Sequence, residues 1–360
     1  MPRWALAFAL LLASALAAPA QQEGTYVVPR FRFEGGGEIG DLKVGYVTWG
    51  KLNAARDNAV LLLPATNAFK TWAAYHIGPG KAFDPDKHFV IGVDPIGSGT
   101  SSKPADGLGI GFPAYTIRDM VRAQHELVTK GLGIEKLLSV GGASMGAFQG
   151  VEWGINYPDS MRGLLLWVPA ARSDRHFHII MDAVAATITL DPAYRDGRYE
   201  ANPVEGMRRA GMIYFPWLYS DAYLRRLTDD AEYDKAKMAF GEGWARLWDA
   251  NTLLWRYKAS RNHDAAKPFG GDMTAALARI RVPALIMPST SDRTVPAYLT
   301  DELVNGLHKV TYAPIQSERG HLAYLQGEGT PEYEHVSAGT KSFLEVLAGE
   351  RPTSTTGSPR

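Results

Sequence analysis

The sequence predicts an α/β fold: a mostly parallel central sheet with helices on both faces and a helical insertion in the second half. Three observations carry this expectation. Short, nearly continuous apolar runs alternate with stretches of helical spacing, the order a parallel sheet with right-handed crossovers requires. One such run, Lys136 to Val140, meets Gly142-Ala143-Ser144-Met145-Gly146 and then a helix-compatible segment from Ala147 to Tyr157. From about Ala171 to Gly271 no convincing strand pattern appears, and aromatic residues crowd in, among them Trp217, Tyr219, Trp244, Trp248 and Trp255.

In chain order, Arg3 precedes an uninterrupted apolar stretch from Trp4 to Leu12 that continues through small residues to Ala20. Ala15-Leu16-Ala17 and Ala18-Pro19-Ala20 both offer small-x-small cleavage sites, so residues 1–20 are expected to be a cleaved signal peptide directing a secreted or periplasmic protein. The run falls short of the roughly 20 apolar residues that span a bilayer, and no later segment of the sequence is long and apolar enough to do so. Tyr26 to Phe33 and Leu42 to Trp49 alternate around Gly35-Gly36-Gly37, the pattern of an antiparallel hairpin. Asn58 to Leu63 and His88 to Val93 read as strands covered on both faces, Ile117 to Leu132 as a helix, and Met161 to Val168 as the strand after the Ser144 helix. Residues 21–170 then form the first part of the core and 171–271 a helical lid. Residues 272–349 complete the core, with strands at Pro283 to Met287 and Lys309 to Pro314 and helices at Tyr298 to Leu307 and Pro331 to Leu347. The last stretch, 350–360, holds Pro, Ser, Thr and Gly with no apolar face and is expected to be a disordered tail.

Composition removes several functions. Lys plus Arg and Asp plus Glu are both 38, and no basic run stands out, so nothing favours nucleic acid or anionic lipid as a partner. The chain has no cysteine, which excludes disulfides, Cys-ligated zinc and a thiol nucleophile. His176 and His178 resemble a metal pair, yet no third ligand stands at a convincing spacing, and no metal site is expected.

The chemistry is expected at Ser144. A strand that turns sharply into a helix leaves room only for small residues at 142 and 146, and the bend holds the serine hydroxyl in the open. The helix N-terminus beneath it, including the N–H of Met145, points partial positive charge at a developing oxyanion. A second oxyanion donor is expected from the loop after the third strand, with Thr66 as the best single candidate. A serine hydroxyl is a poor nucleophile at neutral pH and needs a base, usually held by a carboxylate. Asp292 lies just past the Pro283 to Met287 strand and His321 just past the last strand, the order Ser, Asp, His. The other eight histidines read as surface or core residues.

With these residues in place the chain resembles the homoserine O-acetyltransferase family of α/β-hydrolases. The resemblance takes in Gly97-Ser98-Gly99-Thr100-Ser101-Ser102-Lys103-Pro104, the Ser144 turn with Gln149 and Glu152-Trp153, Tyr157-Pro158-Asp159, Trp248-Asp249-Ala250-Asn251, His263-Asp264, Ser291-Asp292 and Gly320-His321. It implies the α/β-hydrolase fold, a catalytic triad of Ser144, Asp292 and His321, and a homodimer joined through the lids. Two departures bear on substrate. The family typically follows its histidine with an acid that helps hold the amino group of homoserine; Leu322 stands there. Its lid arginine for the homoserine carboxylate is matched by Gly211 in Gly206-Met207-Arg208-Arg209-Ala210-Gly211, and helical geometry points Arg208 and Arg209 roughly 200° to 300° away. A zwitterion left without both partners in a desolvated pocket binds poorly. Export points the same way, because acetyl-coenzyme A is a cytoplasmic donor. The expected activity is therefore cofactor-free hydrolysis of small, apolar esters through an acyl-serine, with acyl transfer from acyl-coenzyme A to an alcohol as the alternative.

Overall fold

Alternating apolar and polar residues close the N-terminal region into a long hairpin in a computed structural model of the chain, which describes residues 21–349. The expected signal (1–20) and tail (350–360) lie outside the described residues. The hairpin pairs β1 (Gln22–Arg32) with β2 (Glu38–Trp49) through a turn at Gly36 and Gly37, whose φ values of 93° and 89° suit glycine. The buried runs β3 (Ala59–Leu63) and β4 (Phe89–Val93) follow; the crossover between them carries only a short 3-10 turn at Ala74–His76. Then come α1 (Ile117–Glu126), β5 (Ser139–Ala143), α2 (Met145–Asn156) and β6 (Leu164–Trp167). Thr116 and Asp119 cap α1 reciprocally, and a π turn at Leu127–Gly131 ends it.

Between β6 and the next strand lie α3 (Arg175–Thr189), α4 (Val204–Leu218), α5 (Asp221–Arg226), α6 (Asp230–Leu247) and α7 (Ala250–Arg261). The chain returns to the core with α8 (Met273–Leu277), β7 (Ala284–Met287), α9 (Asp301–Gly306), β8 (Val310–Tyr312) and α10 (Pro331–Ala348). The helix expected from Tyr298 to Leu307 is split: a 3-10 turn at Ala297–Thr300 precedes α9, and the Thr300 hydroxyl donates to the Ala297 carbonyl at 2.7 Å, tightening that turn. Among the described residues, no helix is long and apolar enough to cross a membrane.

The strands form one eight-stranded sheet in the order β1-β2-β4-β3-β5-β6-β7-β8, antiparallel at β1-β2 and β2-β4 and parallel elsewhere. Period-two alternation sorts its side chains between two cores. Leu61, Leu63, Ile91, Val93 and Val140 pack with Met120 and Val121 of α1 and Phe148 and Val151 of α2. Val60, Leu62, Val90, Leu165 and Trp167 face the other way, toward Val336, Phe343 and Leu344 of α10. Each fully buried side chain of this kind contributes about 1.5–3 kcal/mol. This arrangement places β5, with Ser144 at its end, in the middle of the sheet.

Two buried histidines tie stability to pH. His76 stacks on Tyr333 at 4.8 Å, and burial lowers its pKa to about 4. His263 stacks on Phe148 at 4.9 Å; burial first, then Arg118, lowers its pKa to about 3. His263 is therefore neutral, and its 3.9 Å approach to Glu152, itself raised by burial, is not an ion pair. Both folded-state values lie below the unfolded 6.5, so their contribution is present above that value and declines as pH falls toward 4. Between pH 7 and 5 the unfolded chain takes up the protons, destabilising the fold by about 2 kcal/mol per histidine. Urea midpoints at the two pH values check this, and His76→Gln is expected to flatten the dependence.

Candidate active site

Ser144 follows β5, Asp292 follows β7 and His321 follows β8, so all three lie past the C-terminal edge of the sheet, where Asp292 contacts His321 and His321 shares a cavity with Ser144. The Ser144 backbone bends to φ 54° and ψ −120° between β5 and α2, a region costing a non-glycine residue about 1–3 kcal/mol. Its N–H donates to the Trp167 carbonyl at 3.0 Å, fixing the turn to β6. The flanking glycines are steric necessities. A Cβ at 142 would lie 2.5 Å from the Gly146 backbone, and one at 146 would lie 2.0 Å from the Leu63 carbonyl oxygen.

Asp292 follows β7 in a tight turn. Its Oδ1 accepts the N–H groups of Thr294 at 2.8 Å and Val295 at 2.9 Å, while Oδ2 lies 2.6 Å from His321 Nδ1. With Nδ1 donating to the carboxylate, Nε2 carries the free lone pair and can accept a proton. The His321 turn needs Gly320, at φ 62°, because a side chain there would meet the Leu218 carbonyl at 2.7 Å. The end of α4 is stitched to both loops. Thr294 Oγ1 donates to the Trp217 carbonyl at 2.9 Å, and Ser220 Oγ donates to the Glu318 carbonyl at 2.5 Å.

Ser144 and His321 line one cavity of about 410 Å³. Its floor includes Ala65, Thr66 and Asn67 from the loop after β3. Its roof is Tyr214 and Leu218 of α4 and Phe240, Trp244 and Leu247 of α6, with Trp248, Leu322 and Tyr324 closing the sides. Burial raises the hydroxyls of Tyr214 and Tyr324 well above the usual tyrosine value, so both stay neutral. A larger cleft of about 850 Å³, edged by Arg118, Lys258 and Lys267, contains none of Ser144, Asp292 and His321. Met145 is fully buried at the first position of α2, where an N–H has no intrahelical acceptor. Thr66 is buried at the cavity edge, its Oγ1 3.3 Å from Ser260 Oγ.

Arg256, on α7, escaped the sequence reading. Its Nε donates to the Thr66 carbonyl at 2.7 Å and its Nη2 to the Ala65 carbonyl at 3.1 Å. The available signal was a charge on the apolar stripe of a helix, flanked by Leu253, Tyr257 and Ser260, all buried.

Residues 58–327 match the alpha/beta hydrolase fold family. The chain belongs to the α/β-hydrolase family. As such it is an enzyme of that superfamily, and its mostly parallel sheet and the strand-turn-helix at Ser144 agree with the fold expected from the sequence. This hydrolase-family chain is 34% identical over 330 residues to a homoserine O-acetyltransferase of Trichormus variabilis, covering 85% of this chain and 90% of that protein. It is 32% identical to a homoserine O-succinyltransferase of Herminiimonas arsenicoxydans, over 81% and 86% of the two chains. Among solved structures, an acetylester hydrolase from Corynebacterium glutamicum superposes with a TM-score of 0.83 at 28% identity, over 90% and 96% of the two chains.

The two departures from the transferases have a structural setting in this α/β-hydrolase. Leu322 lines the cavity beside His321. Gly211 sits where α4 crosses α6, and a Cβ there would lie 2.9 Å from Gly241 Cα and 3.1 Å from Trp244. Arg208 pairs with Glu205 and, at 3.4 Å, with Glu242; Arg209 lies 3.9 Å from Glu205. Neither arginine lines the cavity.

Proposed function

We propose that the protein is a serine ester hydrolase acting on small, uncharged carboxylic esters. The observation that carries this reading is the wall of the cavity. Among the described residues lining it, His321 is the one ionisable Asp, Glu, Lys, Arg or His, and the rest are aliphatic, aromatic or neutral polar groups. Homoserine would bring an ammonium and a carboxylate into that space with no counter-charge for either, at a cost of several kcal/mol each. An acetyl or similarly short acyl group meets no such penalty, and about 410 Å³ accommodates it with its alcohol.

In this reading His321 Nε2 takes the Ser144 proton as Oγ attacks the acyl carbonyl carbon, forming a tetrahedral oxyanion. The N–H groups of Met145 and Thr66 stabilise that oxygen, while Asp292 balances the imidazolium. Collapse expels the alkoxide, which takes the proton from His321. Water, deprotonated by the same imidazole, then attacks the acyl-serine; collapse breaks the acyl–Oγ bond, Oγ takes the proton back from His321, and the acid is released. The reaction balances without metal or organic cofactor.

The acetylester hydrolase likeness supports hydrolysis. The 34% identity to a homoserine O-acetyltransferase favours a second reading, in which an alcohol replaces water in the last step. Purified protein is to be given a short-chain nitrophenyl ester, and separately acetyl-coenzyme A with homoserine. Nitrophenol release with less than a hundredth of that rate in O-acetylhomoserine formation is the expected result. Dominant transfer to homoserine, with only trace ester cleavage, would install the second reading in its place.

A further inference from the structure

We propose that Arg256 is the positioning residue that directs the oxyanion-binding N–H groups of the loop after β3, by gripping that loop through its carbonyls. The inference rests on the ester-hydrolysis reading for its kinetic consequence. The grip itself stands on geometry.

The Arg256 side chain is wholly buried on α7, and its fork takes the carbonyls of two successive residues, Ala65 at 3.1 Å and Thr66 at 2.7 Å. A planar trans peptide holds its N–H opposite its C=O. Fastening the Ala65 carbonyl therefore directs the Thr66 N–H away from the guanidinium, and fastening the Thr66 carbonyl does the same for Asn67. The loop lies between Arg256 and the cavity: Ala65, Thr66 and Asn67 line that cavity and Arg256 does not. The next residue adds a tie, since Asn67 Nδ2 donates to the Tyr257 hydroxyl at 3.0 Å. Electrostatics act in the same sense. A cation behind the carbonyl ends of two peptides polarises them so that their positive ends face the developing oxyanion.

The grip is an expensive way merely to fill space. Arg256 forms no ion pair among the described residues; its third nitrogen, Nη1, is buried without a hydrogen-bond partner, and the charge is offset by the face of Trp248, 5.4 Å away, and by the Asp94 carboxylate beyond ion-pair distance. Burying an unpaired charge is costly, so filling the space alone would favour an apolar side chain of similar volume. What an apolar residue cannot do is hold two carbonyls in a fixed plane, a task for which the guanidinium fork is suited and an ammonium is not.

The test compares wild type with Arg256→Met and Arg256→Lys. For the methionine variant kcat on an acetyl ester is expected to fall about 30- to 100-fold, just under the loss of one whole oxyanion donor, with KM changed less than about threefold. Affinity for an alkyl boronic acid, which becomes tetrahedral on the serine, should fall in the same proportion. The lysine variant keeps the charge and should recover only part of kcat, and added guanidinium ion should restore some activity to the methionine variant. Deuterium uptake by the peptide spanning 64–72 reads the loop without any reaction; the Ala68 N–H, bonded to the Ala65 carbonyl at 3.1 Å, should exchange faster in both variants. Unchanged kcat, or kcat and boronate affinity that part company, would overturn the proposal. If wild type cleaves no ester, the hydrolase reading falls while deuterium uptake still decides the grip, equal uptake in all three proteins ruling it out. Should the methionine variant fail to fold, the lysine variant carries the same measurements.

Discussion

Ser144→Ala is expected to lower kcat on a short-chain ester by about 10⁴-fold or more, the scale on which removal of a triad nucleophile acts. The side chain occupies the cavity beside His321, and no other hydroxyl there is fixed at a strained turn above a helix N-terminus. The substitution removes one oxygen and leaves the bend intact, because alanine and serine meet the same constraint at φ 54°. The folded structure should survive, with a melting temperature within a few degrees of wild type. Labelling by a fluorophosphonate, which reports the activated oxygen directly, should vanish with the activity. Turnover that persists in the alanine variant would place the chemistry on another residue.

Asp292→Asn should cost about 10⁴-fold in kcat, for a reason written in the turn after β7. The Thr294 and Val295 amides donate to one oxygen of the side chain. An asparagine must turn its carbonyl oxygen toward those donors, which leaves its NH₂ group facing His321 Nδ1, where Oδ2 stood at 2.6 Å. Two donors cannot share that contact, so the imidazole adopts the tautomer with its proton on Nε2 and can no longer accept from Ser144. The loss should appear in kcat with KM little altered, and circular dichroism should match wild type. A loss under tenfold would mean that something other than Asp292 orients the ring.

Much of this was legible along the chain because the relevant signals are local. The apolar runs of β3 and β4 read as strands covered on both faces, and the glycines at 142 and 146 announced a close approach that the Leu63 carbonyl makes real. Asp292 could be picked out because it closely follows the apolar strand β7, and His321 because it lies past the last strand in the order Ser, Asp, His. Arg256 could not, since its partners are backbone carbonyls 190 and 191 residues away that leave no mark in residue identity. The glycine at 211 was visible as a departure, but its cause, the nearness of Gly241, depends on how two helices cross. The split of the Tyr298 to Leu307 segment was equally hidden, because both halves share one helical spacing.

That crossing constrains what residue 211 can become. Installing an arginine at 211 forces α4 and α6 apart before any new ligand can reward the change, while an acid at 322 alone leaves an uncompensated charge in an apolar chamber. Each single step toward an amino-acid acceptor is thus a loss, and Gly241 has no side chain left to give up, so only a shift of the two helices admits one at 211.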